Sequence, residues 1–189
     1  MARTGYKKAM YNIVGESGFT GTAKEFIAVV DEKLSVEYNN AELYGNDVLQ
    51  ESDYSFKSGT LSITVCDDTD TIIGELLGAT AGSTETAEYT RNIADSAPYV
   101  AYGHIVEKKI GGVRKWKVEC LPRVQFTSAT TDSQTRGDSP EFKTTSMEAK
   151  VYACPTAFGK FKVGDWEKHQ TFDTLEVANT YLASLLSAE

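Results

Sequence analysis

The sequence predicts a mainly β protein, an antiparallel β sandwich or barrel with one short helix and a C-terminal helix. Three observations carry this expectation. Tyr54 to Val65 alternates apolar and polar residues, the period-2 pattern of a half-buried strand. Two β-rich runs, 99–110 (YVAYGHIVEKKI) and 113–126 (VRKWKVECLPRVQF), meet across Gly111-Gly112, which is a two-residue hairpin signal. Only 67–78 and 173–185 carry helical spacing. The 189 residues suit one domain over 1–189, able to bury about 70% of its unfolded surface without a disulfide or metal staple.

The elements follow in order. Tyr6 to Val14 reads as a first strand. Phe26 to Tyr38 holds two strand-like runs, FIAVV and LSVEY, divided by the polar Asp31-Glu32-Lys33. Residues 39–53 (NNAELYGNDVLQESD) are rich in Asn, Asp and Gly, yet they carry Leu43, Tyr44, Val48 and Leu49. They read as a long excursion with its own apolar side chains, and such excursions are often functional. In the next strand Tyr54 and Phe56 fall on one parity and Leu61, Ile63 and Val65 on the other. The flip needs an extra residue, so a β-bulge is expected at Ser58-Gly59. Asp67 to Gly78 is expected to be a short helix, capped by Asp68 or Thr69, with Ile72, Ile73, Leu76 and Leu77 inward and Gly78 closing it. Residues 79–97 read as a polar surface loop.

In the Gly-Gly hairpin, unbroken alternation puts Trp116, Val118, Cys120, Val124 and Phe126 on one face. Lys115, Lys117, Glu119, Arg123 and Gln125 take the other. A strict two-residue turn also sets Lys109 opposite Arg114 and Lys108 opposite Lys115. Like charges directly opposite are unfavourable, so either the register loosens at the tip or the tip meets an anionic partner. Residues 127–140 read as a polar loop, Phe142 to Cys154 as a strand, and Phe161 to Phe172 as a strand or strand pair. In the closing helix Asp173 is the expected cap, Glu176 completes a capping box, and Leu175, Ala178, Leu182 and Leu185 form the buried stripe.

Charge and motifs narrow the function. Nineteen basic and 27 acidic residues give −8, which argues against tight phosphate gripping. The charge is polarised: 41–95 holds 2 basic and 11 acidic side chains, whereas 96–127 holds 6 basic and 2 acidic. No run approaches ~18 apolar residues, so no transmembrane helix and no membrane anchor are expected. MARTGYKKAM has no apolar stretch behind it, so no secretory signal is expected. Cys66, Cys120 and Cys154 read as small buried hydrophobes in a reducing compartment. His104 lies in a strand of mixed pattern and reads as packed or at an interface. No H-E-x-x-H, nucleophile elbow or P-loop occurs, so no enzyme, catalytic residue, metal or cofactor is expected. Asp67, Asp68 and Asp70 suit the start of a helix, where acids complement the macrodipole. Trp116 between Lys115 and Lys117 imitates a base-stacking platform, but its parity is that of the apolar face.

Three ordered blocks carry a family resemblance. The first is EYNNAELYGNDVLQESDYSFKSGTLSITVCDDTDTIIGELLGA, residues 37–79. The second is YVAYGHIVEKKIGGVRKWKVECLPRVQF, residues 99–126, with its "LP-x-V-x-F" exit. The third is the Phe172-Asp173 start of the terminal helix. Together the chain resembles the major tail proteins of long-tailed bacteriophages, the subunits of the tail tube. The resemblance implies a β-sandwich subunit that assembles with itself into hexameric rings, stacked into a hollow conduit for DNA delivery. It implies a virion location after assembly in the host bacterial cytoplasm. The implied partners are other copies, a tape-measure protein, tail terminator and tail tip proteins, and double-stranded DNA that passes without specific binding. No C-terminal immunoglobulin-like domain is expected. The alternative is a tube protein of a phage-tail-like bacteriocin or secretion apparatus; a β-sandwich binding module ranks lower.

Three groups of residues become candidates under that resemblance. Leu43, Tyr44, Val48 and Leu49 are candidates for an intersubunit arm. Lys108, Lys109, Arg114 and Lys115 are candidates for a basic interface that meets the acidic segment of another subunit. Ser58, Thr60, Ser62 and Thr64, with Thr144, Ser146 and Glu148, are candidates for the lumen, where a neutral-to-acidic lining keeps DNA from sticking.

Overall fold

A computed structural model describes residues 2–66, 70–81, 89–131 and 144–187. The strands in chain order are β1 (Ala2–Gly15), β2 (Gly18–Phe19), β3 (Lys24–Glu25), β4 (Val29–Gly45) and β5 (Val48–Val65). Helix α1 (Asp70–Leu76), β6 (Thr80–Ala81), β7 (Tyr89–Thr90), β8 (Tyr99–Ile110) and β9 (Val113–Thr131) follow. The chain continues through β10 (Thr145–Val151), β11 (Lys168–Phe172) and α2 (Leu175–Leu185). The main sheet runs β2-β1-β8-β9-β10-β5-β4, with β11 added to β9 and β3 to β1. Its ladders are antiparallel. Among the described residues the fold is therefore mainly β with two short helices, as the alternation predicts.

The sheet is curled. Five inter-strand steps separate β1 from β4, which on a flat sheet amounts to about 24 Å. Yet the Tyr6 hydroxyl of β1 donates to Glu32 of β4 at 2.8 Å. Side chains inside the curl, from Tyr11 and Val100 to Leu61 and Met147, form one core with Ile73 and Leu76 of α1. The other face of β1, β8 and β9 carries a second core, where Ala101, Ile105, Val118 and Cys120 meet Ala178, Leu182 and Leu185 of α2.

Several sequence expectations shift by a bulge. In β8–β9, Val100 pairs with Val124 and Tyr102 with Leu121, so Pro122 and Arg123 oppose Ala101 alone. Proline lacks the ladder donor and settles at such bulges. The parity of β9 flips there. Val118 and Cys120 face α2, whereas Val124 and Phe126 face the curl, so the five residues do not share a face. In β4–β5, Glu37 pairs with Ser58 and Tyr38 with Phe56; the extra residue is Lys57, one position before the expected Ser58-Gly59. Asp31-Glu32-Lys33 does not divide two strands, because β4 runs through it with a register shift between Val29 and Asp31. The 39–53 excursion is not a loop but the continuation of β4 into β5. Its turn places Asn46 and Asp47 at φ 52° and 61°, the left-handed pair that a tight hairpin needs.

Other boundaries move for local reasons. The first strand extends to Ala2–Gly15, and β9 extends to Thr131, into the expected 127–140 loop. The strand expected over 142–154 is 145–151, and that expected over 161–172 is 168–172. The 79–97 loop contains the short β6–β7 pair. The proposed caps Asp68 and Thr69, together with Asp67, lie outside the described residues, as do 132–143. Gly78 closes α1 at φ 74°. Thr174, not Asp173, caps α2, its side-chain oxygen accepting from the Val177 N–H at 3.4 Å; Asp173 instead pairs with Lys115. Cys120 and Cys154 are buried, but Cys66, at the end of β5, is exposed.

Gly103 sets how closely α2 lies on β8, because a Cβ there would stand 2.6 Å from Leu182 Cδ1 and 3.3 Å from Cys120 Sγ. Leu182 is fully buried and has little room to yield. Gly103→Val is expected to destabilise the fold by about 1–3 kcal/mol through overpacking, measured as a lower urea midpoint at unchanged slope.

Candidate functional site

The β10 ladder on β5 stops at Val151–Gly59. Beyond it, 38–45 and 48–56 continue as a two-stranded ribbon whose residues are exposed on both faces, Gly45 and Phe56 excepted. Leu43, Tyr44 and Val48 are about 60% exposed and Leu49 is 48% exposed. Tyr38 and Tyr54 add further exposed aromatic surface. A two-stranded hairpin is at best marginally stable alone in water, and contiguous exposed apolar side chains mark contact sites. The four arm candidates are thus brought together at one projecting tip. Its root is held by Phe56 stacked on Trp166, centroids 4.6 Å apart and planes within 6°.

The lumen candidates also come together. Ser146 pairs with Thr64 and Glu148 with Ser62, while Ser62 and Thr60 pair with Lys33 and Ser35 on β4. Thr130 and Ser128 of β9 flank Ser146 and Glu148 on the other side. The result is a four-stranded outer face of polar, mostly short side chains, with Lys33 and Glu148 among them. Ser58 continues it, donating to Glu37 at 3.3 Å; Lys150 crosses it to donate to Thr60 at 2.7 Å. Thr144 is exposed just before β10.

The basic candidates sit at the tip of the β8–β9 hairpin, and the strict register holds. Lys108 lies opposite Lys115 and Lys109 opposite Arg114, across a turn with Gly111 and Gly112 at φ 57° and 85°. Arg114 reaches Glu107 at 3.3 Å and Lys115 reaches Asp173.

Sequence reasoning missed a polar cluster inside the curl. Glu32 of β4 accepts from Tyr6 at 2.8 Å and from Tyr102 at 2.9 Å, and the two phenol oxygens are 2.5 Å apart. The other oxygen of Glu32 lies 3.4 Å from His104 Nδ1. His104 Nε2 lies 3.1 Å from Glu119, whose second oxygen holds Lys117. The Tyr6 ring stacks on His104 at 5.0 Å. His104 is therefore packed, between two carboxylates. The cluster borders a cavity of about 420 Å³ that also meets Trp166, Glu167 and His169. Burial raises both phenols well above their ordinary range, with Glu32 adding to both shifts and the hydrogen bond with Tyr6 working against the shift of Tyr102, so they remain donors at neutral pH. Burial pushes Glu119 up as well, but hydrogen bonds from His104 and Lys117 outweigh it and hold the carboxyl at about 2. Among the described residues no group of His, Cys, Asp or Glu is placed to hold a metal ion. The one signal for this cluster was Pro122: a bulge there turns Lys117 and Glu119 inward beside His104.

No protein-family model matches the chain, and no curated protein matches it in sequence.

Glu119 is depressed in the folded state, so its stabilising contribution is complete above its unfolded value of about 4.3 and is lost as pH falls toward 2. Glu119→Gln is expected to cost about 3–5 kcal/mol at pH 7, because Lys117 and His104 lose their partner. Urea titrations should show a shallower fall in stability for the variant than for the wild type between pH 4.3 and 2. Parallel curves would contradict this account.

Proposed function

We propose that this protein is the structural subunit of a bacteriophage tail tube, a self-assembling ring former rather than an enzyme. The observation that supports this best is the projecting ribbon 38–56, whose Leu43, Tyr44, Val48 and Leu49 stay exposed beside two complete cores. Side chains of this kind on a protruding arm suit insertion against another copy. A contact between two different patches is heterologous, so it closes into rings or propagates into filaments. The resemblance of the blocks at 37–79, 99–126 and 172–173 to tail tube subunits implies that these rings are hexameric and stack.

The short polar face of β4, β5, β10 and β9 is the candidate lumen. Its lysines, Lys33 and Lys150, stand among Asp31, Glu37 and Glu148. Such a face offers phosphate no continuous basic track, so DNA slides along it unheld. The tape-measure protein occupies the same space during assembly, and terminator and tip proteins bind the two ends of the tube.

Purified protein, concentrated and viewed by negative-stain electron microscopy, is expected to show hollow rings or tubes; persistent monomers would end this reading. Leu43→Asp combined with Val48→Asp is expected to abolish assembly while shifting stability by no more than about 0.5 kcal/mol, as is usual at exposed positions. Sedimentation velocity and thermal unfolding of the same sample separate the two effects.

A further inference from the structure

The tip of the β8–β9 hairpin carries positive charge that, among the described residues, is only partly neutralised. Lys108 and Lys109 face Lys115 and Arg114 across the ladder. Arg114 and Lys115 have acidic neighbours, but among the described residues no ion pair reaches Lys108 or Lys109. Like charges in direct register disfavour the hairpin, and an anion bound there would relieve them.

The arm offers the complement. From 38 to 56 it holds Glu42, Asp47, Glu51 and Asp53 and no Lys or Arg. Ala41 pairs with Asp53 and Leu43 with Glu51, so these four share one face of the ribbon. With Glu42 they line a surface dent of about 220 Å³. Two carboxylates over an apolar floor suit a lysine, whose stem lies along Leu43 while its ammonium reaches Glu51 and Asp53. Among the described residues no cation of the same chain pairs with either acid.

We propose that this face of the arm of one copy docks on the β8–β9 tip of a second copy. Lys108 and Lys109 insert toward Glu51 and Asp53, and the exposed Val113 at the tip meets Leu43. The proposal rests on the self-assembly reading for the identity of its partner and adds the surfaces that meet. The two patches differ, so each copy both gives and receives, and the contact propagates. Solvent-exposed charges make it sensitive to salt.

The test is a charge exchange between two variants. One is Lys108→Glu with Lys109→Glu; the other is Glu51→Lys with Asp53→Lys. Each alone is expected to associate roughly tenfold more weakly than wild type in sedimentation equilibrium at low salt. A one-to-one mixture should recover association, because each arm then finds a tip of opposite charge. The neutral pairs Lys108→Ser with Lys109→Ser and Glu51→Gln with Asp53→Asn replace any variant that fails to fold; each should weaken association alone. Undiminished association of the variants, or a mixture as weak as its components, overturns the proposal. Tubes indifferent to charge reversal would refute this contact and leave the tail-tube reading standing. Charge-dependent association without tubes would do the reverse.

Discussion

The curl of the main sheet depends on how its two end strands are held. Among the described residues β1 and β4 share no backbone ladder. They are joined through Glu32, which gathers Tyr6 from β1 and Tyr102 and His104 from β8. Glu119 and Lys117 extend the cluster onto β9. Polar groups out of water are costly unless each finds a partner; here the two phenols and both carboxylates are partnered, while the buried His104 Nδ1 stands 3.4 Å from Glu32 without a hydrogen bond. The cluster thus closes by side chains what strands usually close by amide hydrogen bonds. Closure in turn encloses the larger core, and α1 is tied to it where Tyr11 donates to Glu75 at 2.7 Å.

The arm follows from how the sheet is completed. One edge of β9 is taken by β8. The other is shared between β10, over 124–131, and β11, over 116–120. β10 therefore ends at Val151, and above Gly59 β5 keeps only β4 as a neighbour. A ribbon that has lost its third strand cannot bury its faces, which is why 38–56 stands exposed. The same division leaves the outer face of β4, β5 and β10 uncovered, while α2 covers the outer face of β8 and β9.

Charge is arranged on this frame by position rather than by total. The net −8 argues only against tight phosphate gripping. Placed on the fold, the acids of 41–53 lie along a ribbon with no cation partner among the described residues, and the bases of 108–115 crowd one hairpin turn. Segregation of this kind favours contact between unlike patches and disfavours contact between like ones. It joins the fold to the assembly proposed for it.

Much of this was legible in local sequence. Alternation at 54–65, the Gly111-Gly112 turn, the stripe of Ala178, Leu182 and Leu185, and the apolar side chains of 43–49 depend on residues close in the chain. Their period and turn chemistry determined strand, hairpin, helix and exposed arm. The short polar pattern of β5 and β10 likewise determined a face, and the strict hairpin register determined the like-charge pairs at the basic tip. Tertiary structure alone decided the rest. Bulges at Lys57 and Pro122 reverse parity without changing composition, so the side facing the core depends on the partner strand. The sharing of one β9 edge by β10 and β11 made the 39–53 excursion a two-stranded ribbon. The closure at Glu32 brings together residues as much as 113 positions apart, from Tyr6 to Glu119; no local period encodes such a meeting, because it exists only once the sheet has curled.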